Sequence, residues 1–388
     1  MKFNNPRIWY WIAGLLLLPA FLINLNLITL NDDEAIRTLV AMEMELSGNY
    51  IVPTLNGELY RAKPPLFNWI LIQSFRLFGG VSEFAARIPN ILFLGAFGFI
   101  IFHYSKKQLS KEYSVLSALL FVTCGRILFW DSMLAYIDIL YSMITYTSFM
   151  LIYHEFKKER FWRLFIFSYI LCSLGFLLKG FPTLAFQGIT LLTYFIYRRS
   201  WKKLFSLPHF VGIGIFVAIV GSYYLAYFNQ ADGWTTVAGL LDQSTRRTAL
   251  HEQYDYLQFF QHLITYPFEN IYHFLPWSIM AIYLLSSKSA KLISNQPFLV
   301  FCSLTFLANI VIYWVSVEVY PRYILMLLPL VFSILLYLHQ IHYRKNSYLY
   351  KIYFRTHQFL LIGIILTCLI ALRQTMHIDI PYRYIKMF

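Results

Sequence analysis

The sequence predicts an all-α polytopic membrane protein with about eleven transmembrane helices, further helices lying along its outer face, and no large soluble domain. Three observations carry this. Of 388 residues, 59% are hydrophobic and 13% charged, whereas a soluble globular domain carries about 25% charge. Apolar runs long enough to approach the ~30 Å of a bilayer core recur along the whole chain. The basic residues sit between those runs rather than within them. The same composition excludes a disordered, collagen-like or disulfide-stapled secreted chain. Cys124, Cys172, Cys302 and Cys368 stand singly in or beside apolar stretches and offer neither a disulfide framework nor a metal site.

The first predicted span, 8–28, follows Lys2 and Arg7 and has no small-residue cleavage site after it, so it reads as an uncleaved helix. Further runs lie near 86–104, 113–130, 138–154, 163–178, 182–197, 208–227, 271–287, 297–316, 321–339 and 358–373. The chain reads as one domain, 1–388, with two non-apolar excursions, 29–85 and 228–270. The first is expected to hold juxtamembrane helices and the active site, the second a lid or acceptor contact.

Orientation follows from charge. With the N-terminus in the cytoplasm, the inner segments hold 19 of the 32 Lys and Arg but only 3 of the 19 acids, the positive-inside asymmetry. The alternation requires 64–79 to stay on the outer surface. Its Asn68, Gln73, Ser74 and Arg76 among bulky apolar residues suit an interfacial helix. The net charge of +13 is then a topology signal, and no nucleic-acid partner is implied.

Both excursions fall on the outer side, together with Asp131, Asp138, Lys179 and Arg322 at predicted outer helix ends. Ionisable groups gathered at one membrane face mark a candidate site. Asn31 with Glu34 three residues on predicts a capped helix over 31–47. Capping explains Asp32 and Glu34 better than it explains three adjacent acids, and a carboxylate here suits a general base. Arg61 and Lys63 precede a stiff Pro64-Pro65 break in an outer loop, where positive-inside statistics disfavour cations, which points to anion binding. Lys179 and Arg322 can snorkel to the interface; Asp138, with no long stem, cannot. Arg246 and Arg247 suit an acidic acceptor or plain solvation. There is no HExxH pair, glycine-rich phosphate loop or GxSxG elbow.

Taken together, Asp33-Glu34-Ala35, Ser47–Pro53, Leu55–Tyr60, Lys63-Pro64-Pro65-Leu66, Trp69, Leu77-Phe78-Gly79, Ser82–Arg87 and Pro89 resemble the polyprenyl-phosphate-sugar-dependent transferases of the type C glycosyltransferase superfamily. Within it, the lipid A aminoarabinose transferases and protein O-mannosyltransferases are the most similar groups. Leu178–Pro182, Leu275-Pro276-Trp277 and Pro321-Arg322-Tyr323 extend the resemblance. Ala62, Ile36 and Met42 depart from the usual pattern.

The resemblance implies an inverting transfer of a sugar from polyprenyl (undecaprenyl) phosphate to an envelope acceptor, lipid A, a glycan or a protein, on the outer face of a bacterial inner membrane. Asp33 maps to the catalytic aspartate and Lys63 to the phosphate-binding lysine. Asp138 is the second catalytic candidate. Arg61, Lys179, Arg322 and Tyr323 are candidates for the donor phosphate, and Glu34, Arg37, Tyr60, Arg246 and Arg247 for sugar or acceptor. No cofactor is expected, although Asp32 and Asp33 leave room for a divalent cation, and the chain is expected to act as a monomer among membrane lipid. The competing classes are a transporter or lipid flippase and an inactive relative. Transporters tend to carry paired repeats with broken helices at matching positions, and no such symmetry is visible.

Overall fold

The computed structural model describes residues 6–23, 25–245, 256–317 and 319–376. Helices run α1 (Pro6–Leu22), α2 (Asp32–Ser47), then a two-stranded hairpin of β1 (Thr54–Leu55) and β2 (Glu58–Leu59), and α3 (Leu66–Leu77). They continue as α4 (Glu83–Ser105), α5 (Lys111–Val122), α6 (Gly125–Phe129), α7 (Asp138–Lys157), α8 (Phe161–Lys179), α9 (Pro182–Tyr197) and α10 (Leu207–Phe228). The last third holds α11 (Gly233–Thr245), α12 (Tyr256–His273), a 3-10 stretch Trp277–Leu285, α13 (Ser289–Ser294), α14 (Pro297–Trp314), a 3-10 turn Pro321–Leu327, α15 (Leu328–Arg344) and α16 (Tyr348–Met376).

Among the described residues, six helices are long and apolar enough to cross a membrane, or seven if α5 and the segment Gly125–Met133, bent by 48° at their junction, count as one. The expected eleven is not reached, and the reasons are local. Hydropathy registers an apolar run whether or not it folds as one straight helix. The 113–130 run breaks at Thr123-Cys124. The 271–287 run is divided between the end of α12 and the 3-10 stretch after Pro276. The helix in 8–28 stops at Leu22, and α9 has 16 residues. α7 is 20 residues long and buried on most sides, with Ser142, Thr145, Ser148 and His154 turned inward, so its polarity is masked by packing. The 228–270 excursion is helical in α11 and α12 on either side of 246–255.

Helix ends follow their residues. The Asn31 N–H donates to Glu34 Oε1 at 3.2 Å within the expected capping box. Gly48, at φ +68°, closes α2 in the left-handed conformation that glycine adopts freely. Ser82 caps α4 by accepting from the Ala85 N–H at 3.1 Å. The segment predicted to lie at the interface folds as α3, which buries Phe67, Leu71, Ile72 and Phe75 between α2 and α4.

One buried pair ties these elements together. Arg87, on α4, donates to Glu34 at 2.6 and 3.1 Å and to the carbonyls of Leu25 and Ile28 at 2.8 Å. Glu34 in turn accepts from the Ala135 N–H at 2.9 Å. Both side chains are almost wholly buried. A single ion pair thus joins the α1–α2 connection, α2, α4 and the strand-like segment leading into α7. Removing one partner of a buried pair strands the other charge and costs about 3–5 kcal/mol. Arg87→Ala is therefore expected to lower the thermal unfolding temperature sharply in detergent, and an unchanged transition contradicts this role.

Candidate functional site

Glu34 fixes its neighbours in two directions. Asp33 precedes it on the first turn of α2, and Asp138 opens α7 three residues after Ala135. Across from them, α8 ends at Lys179 and the turn Pro321–Leu327 carries Arg322.

These four side chains form a chain of alternating charge. Lys179 Nζ lies 2.6 Å from Asp138 Oδ1. Arg322 Nε lies 3.3 Å from Asp138 Oδ2 without donating a hydrogen bond, and Arg322 Nη2 donates to Asp33 Oδ2 at 2.9 Å. Lys179, Asp138 and Arg322 are buried, whereas the Asp33 side chain is 43% exposed. Buried charges persist only when paired, and here each of the three has a partner of opposite sign. Asp33 is the member that opens outward.

Aromatic faces complete the pairing. Lys179 Nζ sits 4.0 Å from the Tyr323 ring centre and 5.0 Å from that of Tyr141. The Arg322 guanidinium lies 4.2 Å from the Tyr320 ring centre and 4.4 Å from that of Tyr136, distances at which a ring quadrupole attracts a cation. Tyr136, Tyr141 and Tyr320 were not among the residues expected from sequence. The available signal was tyrosine at close spacing to Asp138 and Arg322.

Lys63 differs from the others. No hydrogen bond or ion pair engages its ammonium among the described residues, yet it lines two adjoining cavities. The smaller, about 20 Å³, is bounded by Asp33, Arg37, Asp138 and Tyr136. The larger, about 260 Å³, runs past Phe181, Pro182, Tyr313 and Ser316 to Gln243 and Ser244 on α11. Lys63, Lys179 and Tyr323 border both. The Lys63 ammonium loses its proton unusually easily, its pKa lowered to about 7, chiefly by burial, then by Arg37 and Lys179, against the pull of Asp138 and Asp33. A third cavity of about 400 Å³ lies between α12, the Trp277–Leu285 stretch, α14 and α15. It is walled by side chains such as Phe274, Phe306, Ile310 and Leu328.

The remaining sequence candidates divide. Arg37 is buried and lines the smaller cavity, and it donates to the Tyr60 hydroxyl at 2.6 Å, which places Tyr60 behind it. Arg61 is exposed, with α11 packed against its stem at Gly239. Glu34, expected to contact sugar or acceptor, is instead saturated by Arg87, Asn31 and Ala135 and lines none of these three cavities. Arg246 and Arg247 lie outside the described residues. Asp32 accepts from the Tyr136 hydroxyl at 3.3 Å. Among the described residues no three His, Cys, Asp or Glu side chains converge as metal ligands.

Residues 62–226 match the family described as dolichyl-phosphate-mannose-protein mannosyltransferase. An uncharacterized protein of Aquifex aeolicus is 31% identical over 194 residues, covering 50% of this chain and 42% of that protein. An undecaprenyl phosphate-alpha-4-amino-4-deoxy-L-arabinose arabinosyl transferase of Pseudomonas savastanoi pv. phaseolicola is 26% identical over 280 residues, 68% of this chain and 47% of that one. The chain therefore spans less than half the length of these relatives. Among solved structures, ArnT from Cupriavidus metallidurans bound to undecaprenyl phosphate superposes with a TM-score of 0.69 at 16% identity, covering 86% of this chain and 60% of that one. The two share a fold.

The unpartnered lysine makes stability depend on pH. An unfolded chain holds the Lys63 proton up to about pH 10.4, whereas the folded chain releases it near 7. Between those values the unfolded state carries the extra proton, so stability rises with pH. Lys63→Met is expected to flatten that rise in unfolding curves taken between about pH 7 and 9.5. Parallel slopes for the two proteins would contradict the site as described.

Proposed function

We propose, from the premise that the chain belongs to the type C glycosyltransferase superfamily, that it moves one sugar from a polyprenyl phosphate to an acceptor of the bacterial envelope. The observation that carries the reading is Lys63, whose ammonium makes no hydrogen bond or ion pair among the described residues and faces a cavity beside a half-exposed Asp33. An anion is what such a lysine lacks, and a phosphodiester joined to a sugar supplies it.

In this reading the bond from the anomeric carbon to the phosphate oxygen breaks, and its electron pair stays on the leaving phosphate. Charge grows there as the bond stretches. Lys63 and Lys179, with the unsatisfied Nε–H of Arg322, stabilise it in a poorly hydrated cavity, where electrostatic contacts weigh most. Asp33 takes the proton of the acceptor hydroxyl or amine as that atom attacks from the opposite face, giving inversion. Arg322 holds the Asp33 carboxylate in place. Asp138 is hydrogen-bonded to Lys179 and ion-paired with Arg322, so its part is to orient these cations rather than to touch the substrate.

The ~400 Å³ apolar cavity suits part of an isoprenoid tail. The larger cavity beside Lys63, with Gln243, Ser244 and Ser316 on its wall, suits the hydroxyls of a sugar. The expected placement is multi-pass in the inner membrane with the N-terminus in the cytoplasm and the site on the outer face. A glycolipid, a glycan or a protein acceptor all fit there, and a monomer suffices.

Asp33→Asn keeps the shape of the side chain and removes the base. Transfer from undecaprenyl-phosphate-linked sugars in proteoliposomes, read by mass spectrometry of the released carrier phosphate, is expected to fall by about 10²–10⁴. Binding of undecaprenyl phosphate should persist. Turnover equal to that of the unmodified protein would remove Asp33 from the reaction.

A further inference from the structure

Among the described residues no hydrogen bond or ion pair holds the Lys63 side chain, so the backbone that carries it sets its place. That backbone is pinned by Glu43, on the face of α2 that meets the hairpin. The Glu43 carboxylate accepts from the Thr54 hydroxyl at 2.7 Å and from the N–H groups of Asn56 and Gly57 at 2.5 and 3.2 Å. It thereby ties to α2 the β1–β2 turn, in which Asn56 and Gly57 both adopt positive φ, +54° and +79°, the two-residue pattern that Asn-Gly favours and that suits the twist of a hairpin. From the hairpin the chain passes directly to Tyr60, whose N–H donates to the Pro53 carbonyl at 2.9 Å and whose hydroxyl meets Arg37. Three residues later comes Lys63, followed by Pro64 and Pro65, which lead into α3.

We infer that Glu43 is a positioning residue for Lys63: its carboxylate on the hairpin fixes the 60–63 segment, and so sets where a lipid-linked phosphate meets the ammonium. The inference rests on the reading of Lys63 as the phosphate contact. Glu43 touches neither cavity and acts through the hairpin alone. Charge-assisted bonds to two backbone N–H groups and a hydroxyl are among the stronger local restraints available. Glu45, two residues further along α2, offers an internal comparison. It pairs with Arg76 of α3 at 2.9 Å and with the Tyr50 hydroxyl at 3.1 Å, and does not engage the hairpin.

The test is equilibrium binding of undecaprenyl phosphate to the full chain in detergent, measured from about pH 6 to 9, for the unmodified protein, Glu43→Ala, Thr54→Val and Glu45→Ala. Glu43→Ala is expected to bind about tenfold more weakly, the loss of one charge-assisted hydrogen bond, with a shifted pH midpoint as the ammonium moves relative to Asp33 and Arg37. Thr54→Val should fall between, Glu43→Gln should recover part of the loss, and Glu45→Ala should match the unmodified protein. If Glu43→Ala does not fold, Thr54→Val and Glu43→Gln decide by the same midpoint shift. Unchanged affinity and midpoint in folded Glu43 variants, or an equal loss in Glu45→Ala, would overturn the inference. An unmodified protein that binds no undecaprenyl phosphate would sink the underlying reading, and this one with it.

Discussion

Four charges in sequence, Lys179, Asp138, Arg322 and Asp33, hold one end of this helix bundle together. They come from α8, α7, the turn before α15 and α2, elements with up to 289 residues between the paired side chains. An apolar bundle tolerates such groups only in matched pairs, because each would otherwise be stranded in a medium that solvates charge poorly. The match is complete for the three buried members. The fourth, Asp33, is left half open to the cavity. Geometry that neutralises the interior thus presents one carboxylate at its mouth.

The second constraint is an absence of matching. Lys63 borders the same space with no ion pair among the described residues, and the low pKa of its ammonium registers the cost of burial, which Asp138 and Asp33 offset only in part. Two positive neighbours, Arg37 and Lys179, deepen that cost. A bound phosphate reverses it, supplying the missing negative charge and drawing the proton back to the lysine. Stability and affinity are therefore coupled at one atom: the burial that destabilises the Lys63 ammonium is what an anionic ligand would offset. The Glu34–Arg87 pair lies behind this arrangement and keeps α2 and the start of α7 in register, so that Asp33 and Asp138 face the same guanidinium.

Much of this was legible in the sequence, for identifiable reasons. Low charge and recurrent apolar runs reported a membrane bundle because solvation by lipid is a compositional demand. Asn31 and Glu34 reported the start of α2 because capping is local. Asp33, Lys63, Asp138, Lys179 and Arg322 could be assigned to one face by counting charges. Their pairing could not, since Arg322 reaches Asp33 only after the bundle closes. The partner of Glu34 was hidden for the same reason: Arg87 lies 53 residues away, and a carboxylate that caps a helix looks no different from one that also carries a buried ion pair. Hydropathy was blind to local breaks in the predicted runs, at the bend near Cys124 and where the backbone turns 3-10 after Pro276. The restraint by Glu43 was equally unreadable, because hydrogen bonds to backbone N–H groups leave no side-chain pattern.

The account rests on a phosphate meeting Lys63 beside Asp33, and a structure determined with undecaprenyl phosphate bound addresses that most directly. The expected result is phosphate oxygen within about 3 Å of Lys63 Nζ, with the isoprenoid leading away between helices and the Asp33 carboxylate facing the phosphorus-bound oxygen that would carry the sugar. Density for the head group elsewhere, with Lys63 still without an anion, would contradict it.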